Sequence, residues 1–316
     1  MPRQPRLDTP GALHHVIGRG IDGTEIFGNK KDCEDFIGRL KDLCDKKAFS
    51  IYAWALMSNH FHLLVRTGRL SLSNSMRKLL TGYVVNYNRR HKRYGHLFQN
   101  RYKSILCEDD PYLLELTRYI HLNLLRAGIV KNMKSLKRYE WCGHSVIMGT
   151  IKRSWQDSDT ILAYFGKRRK KAIEQYELFI EGGIKEGSRP EFVGGGLIRS
   201  LGGWSQVLSL KRSGSKIFSD ERILGSSEFV NNAITDAEKK EKETLRLNLK
   251  ISDLESLAEK ISEGEAVEKT ELCSGNRRRT VVRARKIFCQ VSFKEMGYSG
   301  ADVARFLGIT TSAVNR

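Results

Sequence analysis

The stretch Ser58 to Val65, SNHFHLLV, sets two imidazoles two residues apart in an otherwise apolar run. In an extended strand alternate side chains share a face, so His60, His62 and Leu64 point one way and Phe61, Leu63 and Val65 the other. One side reads as core. The other presents two groups able to share a divalent cation, histidine being the commonest metal ligand. A pair of half-exposed strand histidines with no ligand is the competing reading. A second pair follows in DPYLLELTRYIHLNLLRAG, where Tyr119 and Asn123 stand four apart and stack one turn above the other on a helix. The two imidazoles and the Asn123 carbonyl form a donor set suited to Mg²⁺ or Mn²⁺, with positions left open for a phosphate oxygen. The Tyr119 phenol could then attack the polarised phosphorus. Half-buried packing is the alternative for Tyr119.

The surrounding pattern supplies elements that would hold these groups. ALHHVIGRG (12–20) has the apolar character of a strand, and Phe36, Ile37, Leu40, Leu43 and Cys44 recur at helical spacing within 31–47. FSIYAWALM (49–57) is β-branched and aromatic, and Ser58-Asn59 turns it into the histidine strand. Apolar residues at helical spacing return over 72–93, and RYKSILCE (101–108) reads as a fourth strand. Asp110 as N-cap with Pro111 at the first helical position opens a helix to about Arg126, whose Leu113, Leu116, Ile120 and Leu124 face the sheet. The order βαββαβ is the ferredoxin-like one, an antiparallel sheet covered by helices on one face, in an α+β protein. The uncovered face is expected to hold the site.

Composition narrows the partner. The 316 residues carry 55 Lys and Arg against 36 Asp and Glu, a net charge of +19 spread along the chain, with a pI near 9.7. That balance points to a polyanion, nucleic acid before a membrane surface. No apolar run reaches bilayer length, and the first residues lack the apolar segment of a signal peptide. Six cysteines without a Cys-x-x-Cys pair argue against a zinc ribbon and fit reduced thiols in a cytoplasm. The basic run GKRRKK (166–171) reads as a solvated helix end or a phosphate contact. The glycines at 194–196 lack the spacing of a dinucleotide loop, and 236–260 read as a charged connecting helix.

The last forty residues have the spacing of a helix-turn-helix. Ser299 caps a helix bearing Val303, Ala304 and Leu307, Gly308 turns, and the next helix presents Thr310, Thr311, Ser312, Asn315 and Arg316. Arg277, Arg278, Arg279, Arg283, Arg285 and Lys286 precede it as a stripe for phosphates. A small helical capping domain is the alternative. Arg77, Lys78, Arg89, Arg90, Arg93 and Tyr94 read as a basic and aromatic groove beside the histidines, or singly as solvated helix charges.

The set NHFHLLV, GHLFQNRYKS and YLLELTRYIHLNLLRAGIV closely resembles the single-tyrosine HUH (His-hydrophobic-His) transposases, in particular the subgroup associated with repetitive extragenic palindromes. The resemblance covers about 8–150, extends through YEWCGHS and more weakly DERILGSSEFV, and the C-terminal helices look like the DNA-binding domain of the replication initiator DnaA. It implies a chain divided into an HUH domain (1–150), a mixed connecting region (151–265) and a helix-turn-helix region (266–316). By position it makes His60 and His62 the metal pair, Asn123 the third ligand and Tyr119 the nucleophile. It departs from the family at Leu124, where members usually carry proline. The implied reaction is metal-assisted cutting and rejoining of single-stranded or hairpin DNA from palindromic repeats, through a 5′-phosphotyrosine, by a monomer or a dimer. Two rivals remain at this point: a domesticated nickase or regulator that keeps the fold, and a DNA-binding protein acting through the helix-turn-helix alone.

Overall fold

A computed structural model describes residues 7–68, 70–187, 189, 192, 220, 222–237, 253–276, 278–294 and 296–314. Two compact units divide the chain, Met1–Ala233 and Ile234–Arg316.

The first unit is built on strands β1 (Leu13–Arg19), β2 (Phe49–Met57), β3 (His60–Thr67), β4 (Lys103–Cys107) and β5 (Ile223–Leu224), in the order β2-β3-β1-β4-β5. The first four pair antiparallel, as the βαββαβ order requires. β5 adds in parallel to β4. Helix α1 (Lys30–Asp45) joins β1 to β2, α2 (Leu72–Arg90) joins β3 to β4, and α3 (Asp109–Arg126) follows β4. Short helices α4 (Met133–Leu136), α5 (Gly143–Ile147), α6 (Ser158–Ala163) and α7 (Arg169–Gly182) complete the unit's named helices.

Strand alternation sorts the side chains into two cores. Val16, Trp54, Phe61, Leu63 and Val65 pack with Phe36 and Leu40 of α1 and Met76, Leu79 and Tyr83 of α2. Leu13, Ala53, Ala55, Leu64 and Ile105 pack on the opposite side with Leu113, Leu116, Ile120 and Leu124 of α3 and with Ile161, Leu162, Ala172, Tyr176 and Ile180 of α6 and α7. The sheet is thus covered on both faces, not one. The physical reason is that the second face also carries a run of apolar residues, Leu13, Ala53, Ala55, Leu64 and Ile105, and each large side chain removed from water contributes about 1.5–3 kcal/mol. The strand ends, where Arg19, His60 and Lys103 replace apolar residues, line an open cavity.

Helix α3 starts at Asp109, with Glu108 at the N-cap position and no side-chain cap. Asp110, expected as the N-cap, therefore lies inside the helix, and the Glu108 carboxylate, rather than capping, accepts from the backbone N–H and hydroxyl of Ser226 just after β5. The basic run 167–171 is exposed at the start of α7, with Arg169 paired to Asp159.

Asp32 ties α1 to α2. Its buried carboxylate accepts from the N–H groups of Gly28 and Asn29, closing a capping box with Asn29. It also meets Arg90 and His91, each at 2.8 Å. Asp32→Ala should cost about 3 kcal/mol or more, because it removes a buried carboxylate that satisfies two helix-start donors and pairs with Arg90 and His91. Urea unfolding would measure this, and a loss under 1 kcal/mol would contradict it.

In the second unit, helices Leu254–Glu265, Lys269–Leu272, Arg279–Lys294, Gly300–Leu307 and Thr311–Val314 share one apolar core that includes Leu257, Phe288, Val303 and Leu307. Ser299 caps the helix it precedes, accepting from the Asp302 N–H, and Gly308 ends that helix at φ +64°, a conformation glycine adopts without strain. Most of the expected connecting helix at 236–260 lies outside the described residues. No described helix is long and apolar enough to cross a membrane.

Candidate active site

The open strand ends and the second half of α3 enclose a cavity of about 540 Å³ lined by Ile17, Arg19, Met57, His60, His62, Gln99, Asn100, Arg101, Lys103, Tyr119, Asn123, Arg126 and Ala127. The register explains the gathering. Arg19 of β1 faces His60 and Ile17 faces His62, while Met57 of β2 flanks His60 on the other side. Residues directly opposite on antiparallel strands share a face, so these side chains emerge together. The apolar stripe of α3 lies on the same face and brings Tyr119 and Asn123 over it.

The two histidine rings stand 5.3 Å apart, centre to centre. Tyr119 meets His62 edge-on at 6.0 Å, and the Arg126 guanidinium lies over the Tyr119 ring at 5.6 Å. The Nδ1 of His60 bonds the Asn59 side-chain oxygen at 2.7 Å. The Nδ1 of His62 bonds Nε2 of His15 at 2.9 Å, and the Nδ1 of His15 bonds the Phe192 carbonyl at 2.9 Å. Burial, with a smaller push from Arg19, lowers the His60 pKa to about 4. Burial holds His62 well below the usual histidine value. Neutral imidazole is the form that ligates a metal.

The donor set fits a divalent cation. Two imidazoles have Nδ1 engaged, which leaves Nε2 on each, and Asn123 brings an amide oxygen to the same cavity. No group of three or more His, Cys, Asp and Glu able to hold a metal exists among the described residues, so any such site needs the amide. All six cysteines are free.

The four chemistry-bearing residues read from spacing therefore line one cavity, but the cations read beside them do not. Arg77, Lys78 and Arg89 are exposed on α2, which covers the other face of the sheet. Arg90 is committed to Asp32 and Asp35. Arg19, Arg101, Lys103 and Arg126 are the cations that rim the cavity. Alternation in ALHHVIGRG could have found Arg19 and His15, because both fall on the site face once β1 is paired with β3. In the second unit Arg278, Arg279, Thr311 and Ser312 are exposed, with Arg278 paired to Glu271, while Arg277, Asn315 and Arg316 lie outside the described residues.

A mostly antiparallel sheet thus brings a histidine pair, a tyrosine and an amide into one cavity rimmed by cations. Residues 13–123, which end at that amide, match the family described as Transposase IS200 like. Among solved structures, a chain in "Structure of the REP associates tyrosine transposase bound to a REP hairpin" is similar at 14% identity and a TM-score of 0.39, over 50% of this chain and 90% of that chain. No curated protein matches.

Proposed function

We propose that the protein is a metal-dependent DNA strand transferase that cuts and rejoins single-stranded, hairpin-forming DNA through a phosphotyrosine at Tyr119. One observation carries the reading: His60, His62, Tyr119 and Asn123 line a single cavity rimmed by four cations. The match of 13–123 to the IS200-like transposases supports it.

In this reading Arg19, Arg101, Lys103 and Arg126 draw the DNA backbone into the cavity, where cations neutralise phosphate charge. His60, His62 and Asn123 hold Mg²⁺ or Mn²⁺, which supplies Lewis-acid polarisation of the phosphate when bound. The Tyr119 oxygen forms a bond to phosphorus as the bond to the 3′-oxygen breaks. The phenol gives up its proton, and the departing 3′-oxygen takes one to leave as a hydroxyl. A 3′-hydroxyl attacking the phosphotyrosine reverses the step, so the phosphodiester is conserved without a nucleotide cofactor.

The test mixes protein, Mn²⁺ and labelled hairpin-bearing single-stranded DNA, and looks for an adduct that survives denaturant. His60→Ala and His62→Ala should each lower adduct formation by at least about 100-fold, through loss of the cation. Wild type forming no adduct on hairpins drawn from its own flanking DNA would instead favour a regulator that binds without cutting.

The second unit supports duplex binding in the same reading, through the exposed Arg278 and Arg279 at the start of the helix Arg279–Lys294 and the exposed Thr311 and Ser312 just after the turn at Gly308. Removing residues 234–316 should weaken duplex binding and flatten its salt dependence while leaving single-strand cutting in place. An unchanged salt slope would count against this division.

A further inference from the structure

His15 takes no part in the chemistry above, yet both of its ring nitrogens are used. Its Nδ1 faces the Phe192 carbonyl oxygen at 2.9 Å and its Nε2 faces Nδ1 of His62 at 2.9 Å, with the two rings stacked 5.1 Å apart. A carbonyl only accepts, so His15 Nδ1 bears a hydrogen. His15 is fully buried and His62 is 4% exposed, and no carboxylate among the described residues bonds either ring. A cation buried there without a counter-ion, on either ring, is strongly disfavoured, so both rings are neutral. His15 Nε2 therefore has no hydrogen and accepts, and the donor between the rings is His62 Nδ1. That leaves a lone pair on His62 Nε2, in a ring that lines the cavity.

We propose that His15 is a positioning residue that, anchored on the Phe192 carbonyl, holds His62 in the Nδ1–H tautomer so that Nε2 is the atom offered to a divalent cation. This rests on the reading of His60 and His62 as a metal pair. Asn59 does the same for His60 in a shorter form, through its side-chain oxygen. Such outer partners fix tautomer and ring orientation in metal sites generally. The anchor comes from a segment beyond the family match: Phe192 is distant from the matched residues 13–123 in sequence, and its ring also meets Tyr119 edge-on at 5.3 Å. One residue thus steadies both the ligand relay and the nucleophile's ring.

The relay is tested with His15→Gln, whose amide can accept from His62 and donate to Phe192, against His15→Leu, which can do neither. Two-bond ¹H–¹⁵N correlation on ¹⁵N-histidine protein without metal reads which nitrogen of His62 is protonated. Calorimetry then gives Mn²⁺ affinity, and thermal melts show that each variant is folded. Wild type and His15→Gln should show Nδ1–H at His62 and equal Mn²⁺ affinity. His15→Leu should lose the single tautomer and bind Mn²⁺ about 10- to 100-fold more weakly. Nε2–H at His62 in wild type overturns the proposal, as does His15→Gln behaving like a folded His15→Leu. An unchanged tautomer and affinity in His15→Leu overturns it too. Equal Mn²⁺ binding by wild type and His62→Ala would overturn the metal reading itself, while the metal-free tautomer spectrum would still decide the relay. Should His15→Leu fail to fold, the wild-type spectrum and His15→Gln decide alone.

Discussion

Replacing Tyr119 by phenylalanine should abolish the covalent DNA adduct while leaving fold and DNA binding intact. Only a hydroxyl is removed, so the ring keeps its edge contacts with His15, His62 and Phe192 and its place beneath the Arg126 guanidinium. The expected loss is large, on the order of 10⁶-fold, as when the nucleophile of a covalent enzyme is deleted. Two other tyrosines lie near in sequence and neither can substitute. Tyr102 is buried in the core on the opposite face of the sheet. Tyr112 is two turns earlier on α3 and does not line the cavity. The adduct is read on a denaturing gel after incubation with Mn²⁺, with binding of the same hairpin measured in parallel. An adduct persisting in Tyr119→Phe would move the nucleophile elsewhere.

The second large effect is acid sensitivity. Burial holds His14 at about 4, against a smaller upward pull from Asp8, and holds His144 at about 3. Above pH 6.5 these rings are neutral in both folded and unfolded chains and pH has no purchase on them. Below 6.5 the unfolded chain takes up protons that the folded chain refuses. Stability therefore falls as pH drops from 6.5 to 4 for His14 and to 3 for His144, by about 1.4 kcal/mol per pH unit for each ring. The combined loss, on the order of several kcal/mol, is comparable with the whole stability of a typical domain. Burial pushes His121 the same way; it shares the Tyr176 hydroxyl with His144, at 2.8 and 3.1 Å. Urea midpoints measured from pH 7 to 4.5 should fall steeply, and His144→Gln should flatten the slope. A midpoint independent of pH over that range would contradict the buried-neutral assignment.

Much of the first unit was legible in the sequence, because its signals are local. Strand alternation put His60 and His62 on one face, and helical spacing put Tyr119 above Asn123 with the apolar stripe beneath. What escaped was whatever depends on distant pairing. β5 is two residues long, too short for any alternation to mark. The His15–Phe192 bond joins residues 177 apart, and nothing in either neighbourhood announces it. Arg90 reads as a surface cation beside Arg89, yet the roughly 100° step between successive helical residues aims it at the buried Asp32. The cations that rim the cavity escaped for a similar reason. Arg19 and Arg101 stand at strand margins, where charge is unremarkable until the strands are ordered in the sheet.

The short β5 has a meaning for how copies of this protein can meet. An edge strand with free N–H and C=O groups invites a strand from another molecule. Here β4 gives its Leu106 and Glu108 N–H groups to the carbonyls of Arg222 and Leu224. At the other border, β2 bridges Gln156 and Cys142, and the Leu56 N–H is taken by the Trp141 carbonyl. Among the described residues, the chain's own later segments thus take part of the β4 edge and part of the β2 edge, so a strand from a second copy added at either place would compete with bonds the chain already makes.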